Sequence, residues 1–172
     1  ERLVMRRLAL LAGLVCVSAA GCAGEPSATG AQSTGGGSPA GGRVAPYVDV
    51  TRDDVPDLAA AVRDGVGMFN LAFVIAGEGC EPAWGGVLPY DDPGVVARIR
   101  AVREAGGDVR VSFGGASPTE LALRCGDVAS LVTAYRTVVA GLDVTHADFD
   151  VEGETLTDVA SVRRRNEAVA RL

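Results

Sequence analysis

The chain has 172 residues, 48% of them hydrophobic, and carries 16 basic against 22 acidic side chains for a formal charge of −6. That length and apolar content support one domain with its own core. The negative balance and the lack of any sizeable basic cluster exclude nucleic acid, or an anionic membrane surface, as a partner held by charge.

Taken from the N-terminus, Met5-Arg6-Arg7 supplies a positive start, and the apolar run that follows to Ala20 is too short to cross a bilayer. Residues 1–21 are therefore expected to be a secretory signal. Ala19-Ala-Gly-Cys22 resembles a bacterial lipobox, which predicts Cys22 as the acylated first residue of an anchored protein; the alternative is an ordinary cleaved signal and a secreted product. Either way, the only expected meeting with a membrane is through that lipid. Residues 22–43 are almost entirely small or polar and are expected to form a disordered Gly/Ser/Ala-rich linker. Cys16 leaves with the signal, so Cys80 and Cys125 remain in the folded part, and two cysteines in an exported domain most simply form one disulfide. His146 is the lone histidine, so a closed zinc site lacks ligands, and no metal or other cofactor is expected.

Residues 44–50 form a short β-branched run, read as a strand. Asp53 or Asp54 is expected to cap a helix through Val55, Leu58 and Val62, ending near Gly65. The apolar stretch from Met68 to Ala76 reads as a buried strand, followed by a Gly/Pro-rich loop holding Cys80 and Trp84. A helix from Pro93 to about Ala105 precedes a strand from Val109 to Phe113. A third helix covers about Val128 to Ala140, the segment from His146 to Glu152 is a fourth strand, and a fourth helix starts near Asp158. Four βα units in alternation, with strands buried on both faces, predict parallel strands with helical crossovers: an open doubly wound sheet or a barrel. No strand is followed by GxGxxG or another phosphate-binding loop.

The fourth strand carries the chemistry. Alternate residues of a strand share a face, so Asp148, Asp150 and Glu152 stand in one line about 6.6 Å apart along the backbone. Neighbouring carboxylates resist joint ionisation, so at least one is expected to hold its proton to higher pH than usual, as a general acid must. The same spacing also suits oxygen coordination of Mg²⁺ or Ca²⁺, the competing reading of these acids.

Asp148-Phe-Asp150-Val-Glu152 resembles the signature Asp-Gly-x-Asp-x-Asp-x-Glu of glycoside hydrolase family 18, the chitinase family. Ser112-Phe-Gly-Gly115 is similar to the family's Ser-x-Gly-Gly on the preceding strand, and Phe69-Asn-Leu-Ala-Phe73 to its Asn-x-Ala-Phe strand. With the Trp84-Gly-Gly loop and Arg164-Arg-Asn166, the pattern looks like secreted bacterial chitinases of the actinomycete type. Thr145-His146 departs from the signature's Asp-Gly.

The resemblance implies a (β/α)8 barrel of which residues 44–172 form the first half, since a complete barrel takes about 250 residues. A truncated and inactive product is accordingly one expectation for this chain. The implied substrate is chitin or another β-1,4-linked N-acetylglucosamine oligosaccharide, cleaved with retention by substrate assistance; no obligate protein partner is implied. Glu152 would be the acid/base, Asp150 would orient the substrate acetamide, and Asp148, supported by Ser112, would back Asp150. Trp84, Tyr47 and Asn70 are weaker substrate-binding candidates, with packing preferred for Tyr47 and Asn70. The alternative is a chitinase-like protein that binds N-acetylglucosamine polymers without cutting them, although such proteins usually lack the terminal glutamate.

Overall fold

The computed structural model describes residues 44–172. The expected signal, Cys22 and the linker lie outside the described residues. Six strands and five α-helices follow in the order β1 (Tyr47–Asp49), α1 (Leu58–Arg63), β2 (Met68–Ala76), β3 (Pro82–Trp84), β4 (Leu88–Pro89), α2 (Pro93–Glu104), β5 (Asp108–Gly115), α3 (Leu121–Arg124), α4 (Val128–Gly141), β6 (Ala147–Val151) and α5 (Val159–Val169). A 3-10 turn, Gly153–Leu156, joins β6 to α5.

One sheet holds all six strands. β1, β2, β5 and β6 run parallel and lie side by side in chain order. The β3–β4 hairpin adds antiparallel to β2, pairing Val74–Ala76 just beyond the Asn70–Ala72 stretch that pairs with β1. This hairpin replaces the expected loop. Strands of three and two residues bounded by Pro82 and Pro89 are too short to display a hydrophobic period.

Helix α1 begins later than its periodicity implied. Pro56 disfavours helical geometry at Val55, and Asp57, rather than Asp53 or Asp54, caps the helix by accepting from the Ala60 N–H at 3.0 Å. Asp92, Asp127 and Asp158 cap α2, α4 and α5 in the same way. The short α3 after β5 had no periodic signal of its own, being only one turn long.

Val109, Val111 and Phe113 of β5 join Val95, Ile99, Val102, Leu131, Tyr135 and Val138 of the helices in one buried cluster. Phe113, Tyr135 and Phe149 pack ring on ring at centroid separations of 4.8 to 5.4 Å. Phe149 thereby seats β6 on the core from the side opposite its acids. The expectation that every strand is buried on both faces fails for β1, whose Tyr47 and Asp49 are exposed, and for β6, whose five residues are all half-buried. Among the described residues β6 has β5 as its only strand neighbour.

Candidate active site

The polar face of the sheet collects the site. Ser112 stands opposite Asp148, and Gly114 opposite Asp150, in the β5–β6 register. Because paired residues in a parallel ladder share a face, Tyr47, Ser112, Asp148 and Asp150 converge while Val111, Phe113 and Phe149 turn to the core.

Asp148 is the best-held acid. Its Oδ2 accepts from Ser112 Oγ at 2.6 Å and from the Tyr47 hydroxyl at 2.9 Å. Ser112 is fully buried, so its hydroxyl has a fixed aim. The bond to Asp148 holds the Tyr47 phenol protonated above its ordinary range, with burial adding to the effect. Tyr47 is 53% exposed and packs its ring against Phe73 at a centroid separation of 5.8 Å, so it is a rim residue that both packs and touches an acid.

Glu152 leaves β6 at its C-terminal end and is exposed. Asp150 raises the Glu152 pKa, first through a shared hydrogen bond, then through charge repulsion, with desolvation last. A carboxyl whose neighbour disfavours its ionisation keeps its proton to higher pH than an isolated one. Gly153 follows with φ 57°, a left-handed turn that swings the chain out of the strand immediately after the acid.

The glycines of Ser112-Phe-Gly-Gly115 now have a reason. Gly114 has φ 105°, and a β-carbon there would collide with the Asp150 carbonyl. Gly115 has φ 81°, and a β-carbon there would press tightly on the ring of Phe73 at 3.0 Å. Only glycine lets β5 and β6 run this close beside the acids.

The remaining candidates fall elsewhere. Trp84 is fully enclosed, with its indole N–H donating to the Tyr90 carbonyl at 2.9 Å. It is a hairpin anchor, and its ring is not available to stack on a ligand. Asn70 is 6% exposed and its Nδ2 donates to the Ala45 carbonyl at 3.2 Å. It stands beside Tyr47 on the face that carries the acids, and there it straps the segment before β1 to β2. His146 is exposed and shares a 2.9 Å hydrogen bond with the Thr145 hydroxyl rather than contacting Asp148. Cys80 and Cys125 form a disulfide between the loop after β2 and the end of α3. Among the described residues no group of three or more His, Cys, Asp or Glu side chains is arranged to hold a metal ion.

Sequence reasoning missed the supports behind Glu152. Thr155, Glu120 and Arg165 are all buried. Arg165 and Glu120 are 45 residues apart, and no spacing rule links them.

Known proteins resemble this chain over the same region. A probable bifunctional chitinase/lysozyme of Escherichia coli (strain K12) is 42% identical over 131 residues, covering 74% of this chain and 15% of that protein. Endochitinase 11 of Metarhizium anisopliae is 39% identical over 132 residues, covering 74% of this chain and 24% of that protein. The crystal structure of the catalytic domain of a hyperthermophilic chitinase from Pyrococcus furiosus matches with a TM-score of 0.59 and 30% identity, covering 71% of this chain and 42% of that one. No protein-family model matches the chain. This chain thus spans less than half the length of each of these relatives. In both sequence and structure, the chain is thus similar to a part of known chitinases.

Proposed function

We propose that this chain carries the acid-bearing wall of a glycoside hydrolase that cleaves β-1,4-linked N-acetylglucosamine polymers with substrate assistance. The observation that carries this reading is the graded environment of the three acids on β6. Asp148 is held by two hydroxyl donors, and Glu152 keeps its proton longer because Asp150 stands beside it. Glu152 donates that proton to the leaving glycosidic oxygen. The acetamide oxygen of the substrate attacks the anomeric carbon, with Asp150 accepting from the acetamide N–H and stabilising the ring that forms. Water then opens that ring with Glu152 as base, which restores the starting configuration. Asp148, fixed by Ser112 and Tyr47, keeps Asp150 turned toward its work.

The described residues are read as the first four βα units of a (β/α)8 barrel. Parallel strands laid down in chain order without reversal support this reading, because a doubly wound sheet reverses its strand order at a switch point. Glu152 at the C-terminal end of its strand supports it too, since barrel enzymes work at that face. In such a barrel the opposite wall completes the cleft, and a chain limited to these four units is inactive. Export and lipid anchoring through Cys22 are part of the same proposal, and the negative charge and the small, polar composition of residues 22–43 are compatible with them.

The test is the anomeric form of fresh product. Nuclear magnetic resonance of a chitin oligosaccharide digest by the protein containing these residues is expected to show retention, lost on Glu152→Gln. An inverted product, or hydrolysis that survives the substitution, overturns the mechanism. Undiminished oligosaccharide binding with no hydrolysis by the native sequence supports the binding-protein alternative.

A further inference from the structure

Behind Glu152 lies a buried chain of contacts that the acids themselves do not explain. The Thr155 hydroxyl donates to the Glu152 backbone carbonyl at 2.5 Å, and the Thr155 N–H reaches the same oxygen at 3.2 Å. Arg165 of α5 donates from Nη2 to the Thr155 carbonyl at 3.4 Å. The same guanidinium meets Glu120 through two contacts, Nε to Oε1 at 3.3 Å and Nη2 to Oε2 at 3.1 Å. Thr155 is 1% exposed, Glu120 2% and Arg165 5%.

A buried ion pair is a costly way to gain stability, because desolvation of two charges offsets most of their attraction. Its other attested use is to specify one geometry. Here the forked guanidinium–carboxylate pair fixes the direction of Arg165, and the third contact passes that direction to the 3-10 turn. The turn begins immediately after Glu152, so its anchoring fixes where the glutamate's backbone leaves β6. Without it, the exposed C-terminal end of β6, followed by Gly153, would have little to hold it.

We infer that Thr155, through the Arg165–Glu120 pair, is a positioning residue that holds Glu152 in register with Asp150. The inference rests on the proposed role of Glu152, and it extends the working unit to three residues on the turn, on α5 and at the start of α3. The pair would act through Thr155 on the backbone and touch no substrate.

Thr155→Val tests it, since valine keeps the branched shape and the backbone N–H while removing only the hydroxyl. The readout is the titration of Glu152, followed by carbon-detected nuclear magnetic resonance in protein with labelled glutamate, with Glu152→Gln identifying the signal. The native chain is expected to show Glu152 titrating above an ordinary exposed glutamate. Thr155→Val is expected to move it down toward the ordinary range, and Thr155→Ser to restore it. Arg165→Lys, which keeps the charge and loses the fork, is expected to act like Thr155→Val. In protein that hydrolyses chitin oligosaccharides, Thr155→Val should lower kcat about tenfold to a hundredfold with KM little changed. An unmoved Glu152 titration in a folded Thr155→Val variant overturns the positioning role, whatever Arg165→Lys does to folding. Hydrolysis by Glu152→Gln refutes the acid assignment instead, and the titration result is independent of it.

Discussion

Ser112 and Asp148, 36 residues apart, meet through a 2.6 Å hydrogen bond that fixes one oxygen of the first acid on β6. Tyr47 reaches the same oxygen from β1, so three strands converge on one carboxylate. The two donors differ in burial, and their removal should differ accordingly. Ser112→Ala is expected to cost about 1.5–3 kcal/mol, the worth of a desolvated hydrogen bond to a charged group. Tyr47→Phe, at an exposed rim position, should cost under about 1 kcal/mol. Urea unfolding of the two variants checks the order; a larger loss for Tyr47→Phe contradicts it.

Gly114→Ala should be among the most damaging single changes in the chain. The new β-carbon would meet the Asp150 carbonyl, and alanine at φ 105° is strained before any contact is counted. A loss of about 3 kcal/mol or more is expected, with β6 displaced from β5. Thermal melts give the stability, and backbone chemical shifts at Asp148 and Asp150 report the displacement. A variant with native stability would mean that β5 and β6 are not in this register.

The pH dependence follows from Glu152 and Asp150. Since Asp150 raises the Glu152 pKa in the folded protein, activity that needs protonated Glu152 should persist to higher pH than for an ordinary glutamate, then fall as pH rises through the raised value. The stability contribution has the same sign. It is fully present below the unfolded-state pKa of glutamate and lost as pH rises through the folded one. Asp150→Asn removes the like charge and should shift both limbs to lower pH. An alkaline limb unmoved by Asp150→Asn assigns it to another group.

Glu152→Gln is expected to abolish hydrolysis of chitin oligosaccharides and leave their binding within a fewfold, because the amide keeps the shape and cannot donate the proton. Calorimetric titration beside an oligosaccharide assay separates the two effects. Loss of both together would make Glu152 a binding group.

Reduction of Cys80–Cys125 should destabilise the fold by about 4 kcal/mol, from the closure entropy of a loop of 45 residues. Paired urea titrations with and without reductant measure it.

The sequence by itself determined what is periodic or local. The apolar run from Met68 to Ala76 became β2 with the expected bounds, and Pro93 opened α2 where Asp92 could cap it. The alternation of Asp148, Asp150 and Glu152 put the acids on one face, because strand geometry leaves no other arrangement. Local steric rules also governed α1, where Pro56 and Asp57 outweighed the apolar spacing from Val55. The tertiary structure alone decided which distant groups meet those acids. Tyr47 and Asp148 meet although they stand 101 residues apart on different strands, whereas Trp84, a candidate sugar platform on paper, is enclosed in the hairpin with its indole N–H on the Tyr90 carbonyl. The Arg165–Glu120 pair behind Thr155 was equally illegible. A charge in a sequence carries no mark of whether it will face water or be buried against its partner, and only the packing of α3 and α5 brings these two together.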